Sequence, residues 1–297
     1  MIHAETTTTT SAVPPGGRLL DIDAELCRAH YNHAPFRFGH HLSDHPLLQL
    51  ESLVELANRL PAEQVRMARG AKPVSDNIDA TRSADALPAV LADLQHADAF
   101  ILLWHPDTDP VYRGLVDSIL DEIRPLTEPL DPGMCDTHCY IFIVSPHAVT
   151  PYHMDRDINF LCQIRGTKTL QLWDQTDPSI LTEEEIETFL GAPGEPRPAY
   201  RAENSGKACS FELGPGIGLH QPMLAPHVAT TGDEVSIAVA FTFFTRASVR
   251  RITVSSANCK LRRLGLRPRP FGTAVADGVK VQGMRAYREL RSVARRG

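Results

Sequence analysis

Residues 150–168 read TPYHMDRDINFLCQIRGTK, a stretch patterned like sheet that also carries one imidazole, two side-chain amides and several charges. A charge carried into a core is costly unless it finds a partner, so this strand poses a chemical question. Residues two apart on a strand face the same side, which brings His153 and Asp155 together. A second imidazole arriving from another strand would complete two histidines and one carboxylate on a triangular face. That donor set suits Fe(II) and leaves adjacent coordination positions open. The best candidate is His227, in GPGIGLHQPMLAPHVATTGDEVSIAVAF (214–241), where Pro and Gly flank a short strand and His227 begins the next. An HxD pair alone is weak evidence, because the chain has 13 histidines to choose from.

Lys168 strengthens the reading. In TKTLQLW it alternates with Leu170 and Leu172 and so shares the face that points into a barrel. A buried ammonium requires an anion, which would be a protein carboxylate or a bound ligand near the metal, unless the side chain snorkels to water at the strand end. The residues alone leave these readings open.

Around this stretch the chain divides by pattern. CYIFIVS, NFLCQIRG, KTLQLWD, ACSFELG and EVSIAVAFTFFT are short, rich in β-branched and aromatic residues and punctuated by Pro, Gly and Asp. They predict a mainly β core over 131–246, an antiparallel sandwich or jelly roll, with TEEEIETFLG as a helical insertion ending at Gly191. Residues 18–130 read as mainly helical. SDHPLLQLESLVELANRLP is capped by Ser43 or Asp44 with Pro46 in the first turn, and SADALPAVLADLQ and DPVYRGLVDSILDEI follow. The Thr-rich residues 1–17 lack apolar content and read as a disordered arm. Residues 247–297 form a basic extension with a Pro-broken stretch and a final helix over VKVQGMRAYRELRSVARR. From Arg246 onward it holds 14 of the chain's 30 Lys and Arg but only Asp277 and Glu289 among 36 acidic residues.

The 297 residues, 42% hydrophobic and 22% charged with a formal net charge of −6, describe a globular protein able to bury a substantial core. No apolar run approaches the roughly 18 residues of a membrane span, and the N-terminus lacks the apolar core of a secretory signal, which favours the cytoplasm. Six scattered cysteines form no CxxC pair and read as reduced packing residues, in preference to a soft-metal site at Cys135, His138 and Cys139. The basic tail fits docking on the acidic body, its own or a partner's, better than it fits nucleic acid. Met284, Tyr287 and Leu290 offer apolar positions for that packing, and a homodimer is one arrangement open to it.

Together, HxD at 153–155, N-x(3)-Q-x(2)-G-x-K at 159–168, P-x(4)-H at 222–227 and the closing strand VSIAVAFTFF resemble the JmjC/cupin-like family of Fe(II)/2-oxoglutarate-dependent oxygenases. The pattern is closest to the branch that contains the asparaginyl hydroxylase of hypoxia-inducible factor and its bacterial cupin-like relatives. The resemblance implies a double-stranded β-helix core with His153, Asp155 and His227 as iron ligands. It also implies that Lys168, helped by Thr150, pairs with the distal carboxylate of 2-oxoglutarate, while Asn159 lies beside its metal-proximal end. The implied activity is O2-dependent hydroxylation of a C–H bond in a protein or small-molecule substrate, with succinate and CO2 as co-products.

This chain departs from the asparaginyl hydroxylase in having Ala240 where that enzyme has Asn, and Leu224, Ala225 and Pro226 where it has aromatics before the last histidine. Neither change touches the triad, but both remove any reason to infer asparagine as the target. Two other readings stand beside the oxygenase. One is a non-catalytic regulator or 2-oxoglutarate sensor using the basic tail on DNA, and the other is a metal cupin enzyme that uses no 2-oxoglutarate. His138, His147, His220, Tyr140 and Tyr152 read as packing residues, Arg156 and Arg165 as solvent or loop charges, and FRFGHHLSDH (36–45) as loop.

Overall fold

A computed structural model describes residues 17–69, 87–192 and 197–294, so the proposed arm over 1–17 lies almost wholly outside the described residues, as does the start of SADALPAVLADLQ. The elements in chain order are β1 (Leu20–Asp21), α1 (Ala24–His30), β2 (Phe36–His40), α2 (Leu50–Arg59), β3 (Val65–Arg69), α3 (Leu87–Ala92), β4 (Ala99–Trp104) and α4 (Pro110–Thr127). There follow β5 (Cys135–Val144), β6 (Val149–His153), β7 (Ile158–Arg165), β8 (Lys168–Leu172), α5 (Glu183–Gly191), β9 (Cys209–Leu213), β10 (Ile217–Gln221), β11 (His227–Thr231), β12 (Ser236–Phe244), α6 (Arg246–Arg263) and α7 (Ala274–Ala294).

Two antiparallel sheets carry the core. The larger runs β1-β2-β10-β7-β12-β5-β4-β3 and the smaller β6-β11-β8-β9. From β5 to β12 the chain passes back and forth between them, which is the winding of a double-stranded β-helix of JmjC/cupin type.

The alternation within β12 shows how a space is kept between the sheets. Ile237, Val239, Phe241 and Phe243 belong to the large cluster that packs with α4 through Tyr112, Ile119 and Ile123. Ala238 and Ala240, on the other face, belong to a separate cluster with Leu161, Leu170, Leu219 and Ala229. Large residues thus face the helices and small ones face the second sheet. Both faces are buried, which makes the strand read as a continuous apolar run.

The region expected to be mainly helical contributes four strands to the larger sheet, and FRFGH is β2 rather than loop. Its Phe36 and Phe38 are buried at 4% and 5% exposure while Arg37 between them is exposed, a period of two carried by only two apolar residues before Gly39 and His40. Pro46 opens a short 3-10 turn over Pro46–Leu48, and the side chain of His45, rather than Ser43 or Asp44, accepts from the Leu47 amide.

The basic extension docks on its own acidic insertion. α5 is closed at its start by a reciprocal cap between Thr182 and Glu185. Glu187, fully buried, accepts from Asn258 Nδ2 at 2.6 Å and pairs with Arg262 of α6. A Cβ on Gly191 would sit 2.6 Å from that of Cys259, so glycine is what lets the two helices approach. α6 itself escaped the sequence reading because the run RASVRRITVSSANCKLRR has no clear apolar stripe: it buries Ser248, Thr253, Ser255, Ser256 and Asn258 beside Val254. Among the described residues no helix is long and apolar enough to cross a membrane.

Removing one partner of a buried ion pair leaves an uncompensated charge, so Arg262→Ala should lower stability by about 3 kcal/mol in urea unfolding. A loss below about 1 kcal/mol would show that Asn258 alone satisfies Glu187.

Candidate functional site

Between the two sheets lies a cavity of about 430 Å³. His153, at the end of β6, pairs in register with His227, at the start of β11, so the strands themselves bring the imidazoles together with ring centres 4.0 Å apart. Asp155 joins them: its Oδ2 lies 3.7 Å from His227 Nε2, and one ligand atom from each of the three residues falls within 4.8 Å of the others. The three side chains could therefore hold one metal ion between them. Asp155 is not on the strand with His153, as alternation suggested. β6 ends at His153, and the carboxylate reaches the site from the loop that follows.

The same local device prepares both imidazoles. His153 Nδ1 lies 2.7 Å from the Pro151 carbonyl oxygen, and His227 Nδ1 lies 3.0 Å from that of Ala225. A carbonyl only accepts, so each Nδ1 carries the proton and each Nε2 presents its lone pair, the tautomer a metal ligand needs. Burial, followed by the neighbouring His227, pushes the His153 pKa down and keeps it neutral.

At the other end of the cavity stands Lys168, 6% exposed, paired in register with Thr231 at the far end of β11. Among the described residues it forms no ion pair. Its ammonium lies 5.5 Å from the centre of the Phe142 ring, and burial pushes its pKa down to about 8. The carboxylate-partner explanation of this lysine therefore finds no support, and neither does snorkelling to water.

The structure also explains the spacing N-x(3)-Q-x(2)-G-x-K. Asn159 lines the cavity from β7, where Gln163 is fully buried and donates from Nε2 to the Arg165 carbonyl (2.7 Å) and Ser236 Oγ (2.9 Å). Gly166 turns the chain into β8 with φ +64°, and a Cβ there would lie 2.6 Å from the Val235 carbonyl oxygen. Gln163 and Gly166 thus build the turn that delivers Lys168.

Thr150, His153, Asp155, Asn159, Lys168 and His227 all line the one cavity. Sequence reasoning missed part of the facing wall. Gln221, Asn159, Thr242 and His138 sit opposite one another across β10, β7, β12 and β5, and Tyr140 and Trp104 are paired in the next row. Tyr140 is a cavity residue whose pKa is raised by burial and then by Asp157 and Asp155. Arg66 lies 3.5 Å above the Trp104 ring at the same cavity. Period-two alternation placed 138, 140 and 142 on one face, but nothing local said which face. Arg156 is no solvent charge: it lines the cavity and donates to the Phe189 carbonyl. His220 is core, stacked on Tyr31 and accepting from the Asn32 amide. Tyr152 packs against Trp173 and Tyr200.

Among solved structures, the X-ray structure of Escherichia coli YcfD matches with a TM-score of 0.51 at 15% identity, over 90% of this chain and 68% of that one. The chain shares the fold of YcfD. A structure of YcfD, described as a ribosomal oxygenase, in complex with cobalt and 2-oxoglutarate, matches with a TM-score of 0.44 at 16% identity, over 90% and 67% of the two chains. No family model matches the sequence, and no match was found among curated proteins.

Lys168→Met should raise the stability of the ligand-free chain at pH 7 by roughly 2–3 kcal/mol, because it removes a buried charge of nearly the same volume. The wild type adds a pH signature. Between about pH 8 and the ordinary lysine value of 10.5 the unfolded chain holds a proton that the folded chain has released, so stability rises with pH across that window. Urea titrations at pH 7, 8, 9 and 10 should show this rise relative to Lys168→Met, and parallel curves for the two proteins would disprove it. Gly166→Ala should cost about 2 kcal/mol or more through its positive φ and the Val235 contact.

Proposed function

We propose that this protein is an Fe(II)/2-oxoglutarate-dependent oxygenase that hydroxylates a C–H bond of a protein or small-molecule substrate and releases succinate and CO2. The observation that carries the reading is the pairing, in one cavity, of a His153–Asp155–His227 donor set with a buried ammonium that has no ion-pair partner among the described residues. A dicarboxylate satisfies both ends at once. The fold shared with YcfD supports the same reading.

Bound Fe(II) would supply open coordination positions at which a 2-oxo acid chelates and O2 is activated. The remaining work belongs to the chain. Lys168 donates a charge-assisted hydrogen bond to the distal carboxylate and fixes the orientation of the cosubstrate, with the Thr150 hydroxyl as a second donor. Asn159 stands beside the metal-proximal end. Leu161, Leu170, Ala229 and Ala240 give the intervening walls a dry, apolar lining that excludes water. Tyr140, held protonated by its surroundings, offers a phenolic donor between the two ends. Trp104, His138 and Phe244, each partly exposed, line the same cavity and are available to contact a substrate.

Purified protein supplied with Fe(II), ascorbate, 2-oxoglutarate and O2 is expected to form succinate, and Asp155→Ala is expected to abolish it. Lys168→Ala should raise the KM for 2-oxoglutarate about ten- to a hundredfold through loss of a hydrogen bond to a charged group. Tight metal binding with no detectable 2-oxoglutarate binding would identify a cupin enzyme of different chemistry instead.

A further inference from the structure

Two of the three proposed metal ligands are fixed by strand pairing, while the third, Asp155, stands in the loop between β6 and β7. A carboxylate on a loop holds its place only if something holds the loop. Hydrogen bonds to elements on either side of the loop do so. On one side the Leu224 amide donates to the Asp155 carbonyl at 2.9 Å. On the other, Arg156 Nη2 donates to the Phe189 carbonyl at 2.6 Å, with its guanidinium 5.2 Å from the Phe189 ring centre.

Phe189 belongs to α5, and α5 is held from behind. Two residues earlier, Glu187 is fully buried and bonded to Asn258 and Arg262 of α6. One residue later, the Leu190 carbonyl accepts from Ser256 Oγ at 3.1 Å, and Gly191 lets α6 come close. The opposite face of α5 presents Phe189 to the cavity. Continuous contacts therefore run from the Glu187–Arg262 pair through Phe189 to Arg156, the residue beside Asp155.

We infer that Arg156 and the Glu187–Arg262 pair are positioning residues for the metal site, so that the basic C-terminal extension serves as the outer brace of the Asp155 loop. The inference rests on the triad reading for its consequence, but the brace itself is defined without a metal. Outer partners that orient a metal ligand typically contribute ten- to a hundredfold in metal affinity. Hydrogen bonds from a charged donor to a carbonyl are of the strength this requires.

The test uses the full chain, Co(II) as the metal probe and three proteins beside wild type: Arg156→Met, Arg156→Lys, and the double variant Glu187→Gln with Arg262→Met. The double variant replaces the Glu187–Arg262 ion pair with neutral groups of similar size, and Arg156→Met removes the donor to the Phe189 carbonyl while leaving that pair in place. In metal-free protein, hydrogen exchange at the Leu224 amide, whose acceptor is the Asp155 carbonyl, reads the brace directly. Exchange there is expected to quicken about tenfold in Arg156→Met and in the double variant, with the amides of β7 and β12 unchanged. The Co(II) Kd should rise about tenfold in both, with an altered visible d–d spectrum, and Arg156→Lys should recover part of each effect. Unchanged exchange at Leu224 overturns the brace, and faster exchange with an unchanged Co(II) Kd overturns the positioning role. If wild type takes up no Co(II) while the exchange still responds, the triad reading has failed and the contact is a structural one only.

Discussion

The passage of the chain from the large sheet to the small one at Gly166 is the constraint on which the cavity depends. β7 lies at the centre of one sheet and β8 in the other, so the turn between them sets how far apart the facing strands stand. Only a residue without a side chain fits against the Val235 carbonyl at φ +64°, and the Gln163 amide holds the turn by bonding to the carbonyl of Arg165 and the hydroxyl of Ser236. With that turn in place, Asn159 and Lys168 reach the same space from opposite sheets.

The site then follows from the ordinary geometry of paired strands. His153 meets His227 because β6 and β11 are in register at that pair, and Lys168 stands at the far end of the same sheet because β8 runs antiparallel to β11. The small residues of β12 keep the space open, while its large residues on the opposite face secure the sheet to α4. A buried cation without a carboxylate partner is expensive in any fold. Among the described residues Lys168 has no such partner, and an anion in the cavity would offset that cost.

The helices that surround the barrel are not equivalent. α4 serves the core, whereas α5 and α6 join a fully buried glutamate to the loop that carries Asp155. The acidic insertion and part of the basic extension are thus partners within one molecule, through Glu187 and Arg262.

The sequence by itself marked the β core, and its motif spacing singled out His153, Asp155, His227 and Lys168, which the fold brings to one cavity, since strand patterning and motif spacing are local properties. It also marked α5, whose capping residues and Gly191 are local signals. It did not reveal that residues 18–130 supply four strands, because β1 to β4 acquire their faces only by joining a sheet whose other strands lie far along the chain. Nor did it reveal α6, whose buried face is built from Ser, Thr and Asn that pack only because α5 is there to receive them. Tertiary structure alone placed Asp155 on a loop and turned Arg156 from a surface charge into the link between that loop and α5. Register, docking and the partnering of buried charge depend on which distant residues meet, and periodicity within a segment carries no record of that.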